Sequence, residues 1–222
     1  MPREIEIKVR VSDSAELVRF LNAEAEFTGE QHQMDEYFTP PDRNFTAVRP
    51  VNEWLRLRTT DQGSSINYKL WHRDERDASQ YADESESAIG DVAALGEILL
   101  ALKFRSLCTV DKIRRTWRIV IPDANSVRDP ESRKHGSRLP AGEAGVEPGM
   151  TASKDGVIYE IALDREKTLG DFVEVELIGE TDKPVPQIRA EMLQFLRNHG
   201  ITEPNADNVG YPYLLLFGEP DK

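Results

Sequence analysis

The sequence predicts an α+β fold, in which an antiparallel sheet with one apolar and one charged face carries helices on its apolar side. Three observations carry this. Glu4 to Val11 alternates strictly, with Ile5, Ile7, Val9 and Val11 on one side and Glu4, Glu6, Lys8 and Arg10 on the other, the pattern of a half-buried strand. Val92, Leu95, Ile98, Leu99 and Leu102 recur at helical spacing within Asp91 to Leu102. The pattern Glu-x-Glu recurs as Glu4-Ile5-Glu6, Glu84-Ser85-Glu86 and Glu174-Val175-Glu176, each in a segment that reads as strand and each followed by a helix.

After the first strand, Ser12 or Asp13 can cap a helix that runs to about Glu26 and buries Leu17, Phe20 and Leu21. Gln33 to Thr39 reads as a strand stopped by Pro40 and Pro41. Further strands are expected at Glu53 to Thr60, Ser65 to His72 and Gln80 to Ala88, then the helix at Asp91 to Leu102. Two strands follow, Phe104 to Val110 and Asp111 to Ile121. From Pro122 to Gly156 large apolar residues almost vanish, which marks a long mobile insertion between strands within a single domain spanning residues 1–222. Strands resume at Val157 to Asp164 and Asp171 to Ile178, a helix follows at about Val185 to Asn198, and the Tyr211 to Phe217 tail packs back onto the body.

Composition narrows the function. The chain has 222 residues with 28 Lys and Arg against 40 Asp and Glu, a formal charge of −12. A nucleic-acid partner is not expected, because counterion release needs a dominant basic surface and this global field repels polyanions. A basic site must then be local and enclosed. The single cysteine, Cys108, cannot form an internal disulfide, and the expected compartment is the cytoplasm. No apolar run approaches the roughly 20 residues a membrane span needs, so no membrane association is expected.

Parity places the charges. Arg56 and Arg58 share one face of their strand while Leu55 and Leu57 take the other; Lys112, Arg114 and Arg118 oppose Ile113, Trp117 and Ile119; Lys69 is flanked by Tyr68 and Leu70. A flat amphipathic sheet would expose such a face to water. If the sheet curls into a barrel, the charges are enclosed instead, which is unfavourable unless the lumen is wet and its charge is matched by a ligand. Such a lumen suits a polyanion with a divalent metal, since Lys and Arg clamp phosphates and carboxylates hold hard cations.

Glu4-x-Glu6-x-Lys8 resembles the ExExK signature of the CYTH domain, the family of triphosphate tunnel metalloenzymes that includes class IV adenylyl cyclases and thiamine triphosphatases. Leu55-Arg56-Leu57-Arg58, Lys69, Glu84-x-Glu86, Lys112-x-Arg114, and Asp164 leading through Leu169-Gly170-x-Phe172 to Glu174-Val175-Glu176 match in the same order. Gln33 to Phe38, with Pro41, Arg43 and Phe45, resembles the class IV adenylyl cyclase branch. The resemblance implies an eight-stranded antiparallel β-barrel, a tunnel open at both ends with helices packed outside. It implies Mg²⁺ or Mn²⁺, a triphosphate substrate and a homodimer. Lys8, Arg56, Arg58, Lys69, Lys112 and Arg114 would bind the triphosphate, with Arg118 added from parity. Glu4, Glu6, Glu174 and Glu176 would hold metal, joined by Glu84, Glu86 and Asp164, and Glu4, Glu6 and Lys8 would serve catalysis. The implied reaction is conversion of ATP to cyclic AMP and pyrophosphate; hydrolysis of tripolyphosphate, thiamine triphosphate or a nucleotide is the alternative, and a non-catalytic polyphosphate-binding module is the third reading.

Other candidates are weaker. His32, His72, His135 and His199 have no metal-ligand spacing, Cys108 reads as a small core residue, and Trp54, Trp71 and Trp117 read as packing residues. Gly142 to Gly149 lacks the Gly-Lys-Ser/Thr of a phosphate loop, and Arg133-Lys134-His135 reads as a solvated patch.

Overall fold

The computed structural model describes residues 3–73, 79–121, 157–179, 181–201 and 209–219. The insertion expected over 122–156, with Arg133, Lys134, His135 and the Gly142 to Gly149 stretch, lies outside the described residues. Along the chain run β1 (Arg3–Glu4), β2 (Glu6–Arg10), α1 (Ala15–Glu24), β3 (Glu26–Thr39), β4 (Glu53–Thr60), β5 (Gly63–Arg73) and β6 (Ser79–Ile89). Then follow α2 (Val92–Ala101), β7 (Arg105–Ile121), β8 (Val157–Glu166), β9 (Gly170–Ile178), α3 (Val185–Asn198) and α4 (Tyr211–Phe217).

All strands join one antiparallel sheet of nine, ordered β1-β6-β5-β4-β3-β7-β8-β9-β2. β1 and β2 are a single run interrupted at Ile5, so the sheet comprises eight strand runs, and its first and last members are the same stretch of chain. Arg3 and Glu4 pair with Asp83 and Ala82 of β6. Two residues later the run crosses to β9, with Glu6 opposite Glu176 and Lys8 opposite Glu174. The Ile5 carbonyl accepts the Leu177 N–H at 3.0 Å, which keeps the run continuous through the break. The sheet thus curls on itself and encloses a lumen, the barrel expected from the charge pattern.

The apolar residues of that alternation face outward onto helices. Ile5, Ile7, Val9 and Val11 are buried with Trp117, Tyr159, Ile161, Val173 and Val175, under Leu17 and Leu21 of α1 and Ile188, Met192, Phe195 and Leu196 of α3. A smaller cluster sets Leu99 of α2 on Leu57 and Phe38. Asp13 accepts the Ala15 N–H at 2.8 Å and Asp91 accepts that of Ala94 at 2.9 Å, so acidic side chains satisfy free donors at the starts of α1 and α2.

Two elements differ from expectation. β3 begins at Glu26, seven residues before Gln33, because a bulge between Phe27 and Gly29 breaks the alternation; Gly29 takes φ 148°, a conformation L side chains avoid. Phe104 to Val110 and Asp111 to Ile121 form one strand, the 17-residue β7, since neither Val110 nor Asp111 interrupts the ladder to β3. The tail is a helix, α4, which packs at one end of the lumen: Tyr211 and Leu214 are buried there with Tyr37, Phe45, Val51, Trp54, Val110 and Phe172.

The outer core predicts a graded cost. Met192→Ala, at a fully buried position, should lower unfolding free energy by about 2–5 kcal/mol, whereas Gln194→Ala on the exposed side of α3 should change it by no more than about 0.5 kcal/mol; urea titration of both variants tests the assignment.

Candidate active site

Strand parity points Glu4, Glu6, Lys8, Arg56, Arg58, Lys69, Glu84, Lys112, Arg114, Arg118, Asp164, Glu174 and Glu176 into the lumen, where one set of ion pairs links Lys8, Glu174, Arg114, Asp164 and Lys112 and a second links Arg58, Asp35, Arg56, Glu84, Lys69, Glu4 and Glu6. Glu86 also faces inward and accepts the Ser65 hydroxyl at 2.5 Å. A cavity of about 510 Å³ opens between the mouth-side ends of the strands. It is lined by Arg56, Arg58, Arg114, Arg118, Glu4 and Glu176, together with amide and hydroxyl groups of β3, β7 and the β4–β5 turn.

The lumen divides into two halves. On β3, β4 and β7 the cations meet buried acids. Arg58 grips Asp35 through Nε and Nη2, both at 2.7 Å, while Arg56 Nη1 lies 3.4 Å from the same carboxylate. Arg114 holds Asp164 the same way, at 2.7 and 2.6 Å, and Lys112 Nζ reaches Asp164 at 2.7 Å. Arg114 also bonds Glu174, whose other oxygen lies 2.7 Å from Lys8. Near the mouth Arg118 donates to Glu160 at 3.0 Å. Such forked pairs hold the guanidinium planes in fixed orientation.

The opposite half, on β1, β2, β6 and β9, gathers carboxylates. Lys69 Nζ lies 2.8 Å from Glu4, 3.4 Å from Glu6 and 3.7 Å from Glu84. Glu176 stands opposite Glu6 across the β2–β9 ladder and opposite Glu160 across the β8–β9 ladder. The charges sort accordingly. Burial raises Glu4 well above the usual carboxylate range, Glu6 adds to this, and Lys69 offsets only part. Burial and Glu6 push Glu176 up to about 8. Burial acts on Glu174 in the same direction but is overridden by Arg114 and Lys8, so it sits well below that range. Burial and neighbouring Arg114 bring Lys112 down to about 8 against the pull of Asp164.

Glu4, Glu6, Glu84 and Glu176 bring four carboxyl groups to one side of the lumen against the single Lys69 ammonium, the oxygen-donor chemistry of a hard divalent cation, and these residues fit that group. Among the described residues no group of three or more Asp, Glu, His or Cys is drawn together as a finished metal cage. Lys69 is what lies between the carboxylates of Glu4, Glu6 and Glu84.

Several lumen residues escaped the sequence reading. Asp35 is the main acid under Arg56 and Arg58; it stands opposite Arg58 on β4, a register that no local sequence pattern signals. Gln33 precedes it on the same face, is buried, and leaves its Oε1 without a hydrogen-bond partner. Tyr211 enters from α4, donates to Asp164 at 2.7 Å and places its ring 4.0 Å from Lys8 Nζ and 4.8 Å from Lys112 Nζ. The weaker candidates fall elsewhere: His32 pairs with Asp111, His72 with Asp83, and His199 stacks on Phe20 and Phe195. His135 lies outside the described residues. Cys108 is packed beneath α4 and burial pushes its thiol up to about 12. Trp54 and Trp117 are buried in the two main clusters, and Trp71 packs against the first of these.

Residues 2–211 match the model of the CYTH domain. No match is found among curated proteins. Among solved structures, a protein of Pyrococcus horikoshii OT3 superposes with a TM-score of 0.66 at 24% identity, covering 96% of this chain and 98% of its own. A candidate adenylate cyclase of Vibrio parahaemolyticus gives 0.60 at 15%, covering 96% and 97%. A candidate adenylyl cyclase of Hippeastrum, described as having dominant triphosphatase activity, gives 0.60 at 16%, covering 100% and 98%. At these identities the structural neighbours establish the shared fold. No helix among the described residues is long and apolar enough to cross a membrane.

Asp35 generates a test. Burial alone would raise its carboxyl, but Arg56 and Arg58 hold it well below its ordinary value. Its contribution to stability is therefore complete above about pH 4 and lost as pH falls through the folded value. Asp35→Asn leaves two enclosed guanidiniums short of their shared anion and should cost about 3–5 kcal/mol at pH 7. Urea unfolding at stepped pH should also show a shallower loss below pH 4 in the variant than in the parent.

Proposed function

The chain belongs to the CYTH family, and on that premise we propose that it is a metal-dependent phosphoryl-transfer enzyme whose substrate is a nucleoside or other organic triphosphate held in the lumen. One observation carries this reading: Lys8, Lys69, Arg56, Arg58, Lys112 and Arg114, from β2, β4, β5 and β7, converge on the same enclosed space as the Glu4, Glu6, Glu84 and Glu176 carboxylates. A pure anion receptor gains nothing from acids aimed at its ligand. The arrangement suits a ligand that brings negative charge to one half and a divalent cation to the other.

In this reading Arg56, Arg58, Arg114, Lys112 and Lys8 bind the phosphates, and Arg118 extends the clamp toward the mouth. Asp35 and Asp164 orient the guanidiniums from behind, and Tyr211 fixes Asp164. Glu4, Glu6, Glu84 and Glu176 hold Mg²⁺ or Mn²⁺, with Glu86 nearer the mouth and Glu174 linking Lys8 to Arg114. A bound divalent ion supplies charge neutralisation on the transferred group. Positioned cations stabilise the same charge without reorganising, because their carboxylate partners already hold them in place. Glu4 or Glu6 would accept the nucleophile's proton.

The assigned reaction is that of class IV adenylyl cyclases. The ribose 3′-oxygen attacks the α-phosphorus, the bond to the β-phosphate oxygen breaks, pyrophosphate leaves and the 3′-hydroxyl proton passes to the base. The Gln33 to Phe38 stretch supports this branch, and Asp35 within it anchors Arg56 and Arg58. Triphosphatase chemistry is the second reading, favoured by a cavity lined with charged, amide and hydroxyl side chains, the groups that phosphates alone require.

Incubation with ATP and Mn²⁺ should yield cyclic AMP and pyrophosphate in equal amounts by chromatography; orthophosphate in their place assigns the triphosphatase reading, and no product from ATP, thiamine triphosphate or tripolyphosphate defeats both. Glu6→Gln and Glu176→Gln should each lower kcat by about 10²-fold or more with thermal unfolding still cooperative. Unchanged rates in both variants would remove the acidic half from the chemistry.

A further inference from the structure

Lys69 differs from the other lumen cations in its nearest partners. Arg56, Arg58, Lys112 and Arg114 are closest to Asp35 and Asp164 and Lys8 to Glu174, with Arg56 also 3.7 Å from Glu84. Lys69 instead extends from β5 into the acidic half, with its ammonium 2.8 Å from Glu4 Oε2, 3.4 Å from Glu6 Oε2 and 3.7 Å from Glu84 Oε2. The Lys69 ammonium also sits over the Trp71 ring, with Nζ 4.7 Å from the ring centroid. Its side chain is only 14% exposed, so the ammonium has little water to fall back on and depends on those carboxylates.

We propose that Lys69 is an internal competitor for the divalent metal: its ammonium and the metal use the same Glu4, Glu6 and Glu84 oxygens, so metal entry must move Lys69 off them. This rests on the metal-dependent reading of the acidic half. Two cations that share oxygens repel each other over a few ångströms, and a divalent ion feels that repulsion doubly. Once displaced, the Lys69 ammonium needs another anion, and a triphosphate on the neighbouring arginines is the anion the lumen is built to receive. Metal and triphosphate therefore favour each other through Lys69: the substrate draws the lysine away from the carboxylates, and the metal replaces its charge there. Lys69 acts in this as a positioning residue that links two ligand sites, with coupling that is reciprocal by necessity.

The test reads metal affinity directly, using Mn²⁺ alone with full-length protein and electron paramagnetic resonance of the free ion. Lys69→Met keeps the length and removes the charge, and it should bind Mn²⁺ at least about tenfold more tightly than the parent. Lys69→Arg keeps the charge and should stay within about threefold of the parent. If Lys69→Met does not unfold cooperatively, Lys69→Gln replaces it with the same expectation. Parent and neutral variant binding Mn²⁺ equally, or the variant binding it more weakly, overturns the competitor role while leaving the metal site standing. Equal tightening in the Arg and Met variants also overturns it, since packing rather than charge would then be responsible. No Mn²⁺ binding by any of them at millimolar concentration overturns the metal reading itself.

Discussion

Charge enclosed by a sheet has to be answered by charge, and that constraint organises this molecule. The curled sheet takes acids and bases out of bulk water, and an uncompensated ion there costs several kcal/mol. The structure answers with interlocked pairs: Asp35 under Arg58 and Arg56, Asp164 under Arg114 and Lys112, Glu174 between Arg114 and Lys8, and Glu4 against Lys69. These pairs are not an efficient source of stability, since apolar residues of similar shape would serve as well or better. What they provide is orientation. Arg58 and Arg114 are each held in a fork by a carboxylate and so present their remaining donors to the lumen at little ordering cost.

The two ends of the lumen are not equivalent, and α4 is the reason. Tyr211 is suited to its place because one side chain offers a hydroxyl to Asp164, a ring face to Lys8 and Lys112, and an edge-to-face contact with Phe172 at 5.0 Å. It joins the apolar cluster under α4 to the ion pairs of Asp164, Lys8 and Lys112. The cavity lies away from this cluster, beside the Gly29 bulge of β3, and is lined by Gln31 and Gln33 together with Arg58 and Arg114.

Much of this was legible from the chain alone because strand parity is local. Glu4, Glu6 and Lys8 lie on one face and Ile5, Ile7 and Val9 on the other wherever the strand is placed, and the same holds for Arg56 and Arg58 against Leu55 and Leu57. The bulge hid the first half of β3, since Thr28 and Gly29 interrupt the period that marks a strand. Asp35 escaped notice because its neighbours Met34 and Glu36 give no clean alternation, and only the register with β4 reveals it as the partner of Arg58. The apolar Tyr211 to Phe217 stretch implies packing onto the body, but nothing in it says that Tyr211 would reach Asp164 and Lys8 inside the lumen.

By itself, then, the sequence determined the identity and sidedness of the charged residues, the helices that cover the apolar face and the family to which the chain belongs, because periodicity and motif order are properties of neighbouring residues. Only the tertiary structure decided which charges meet. Lys69 reaches Glu4 and Glu6 from a distant strand, and Arg114 reaches Asp164 and Glu174 from 50 and 60 residues away. Such encounters depend on register and on how far the sheet curls before the N-terminal run closes it, quantities set by the packing of the whole chain rather than by any local pattern.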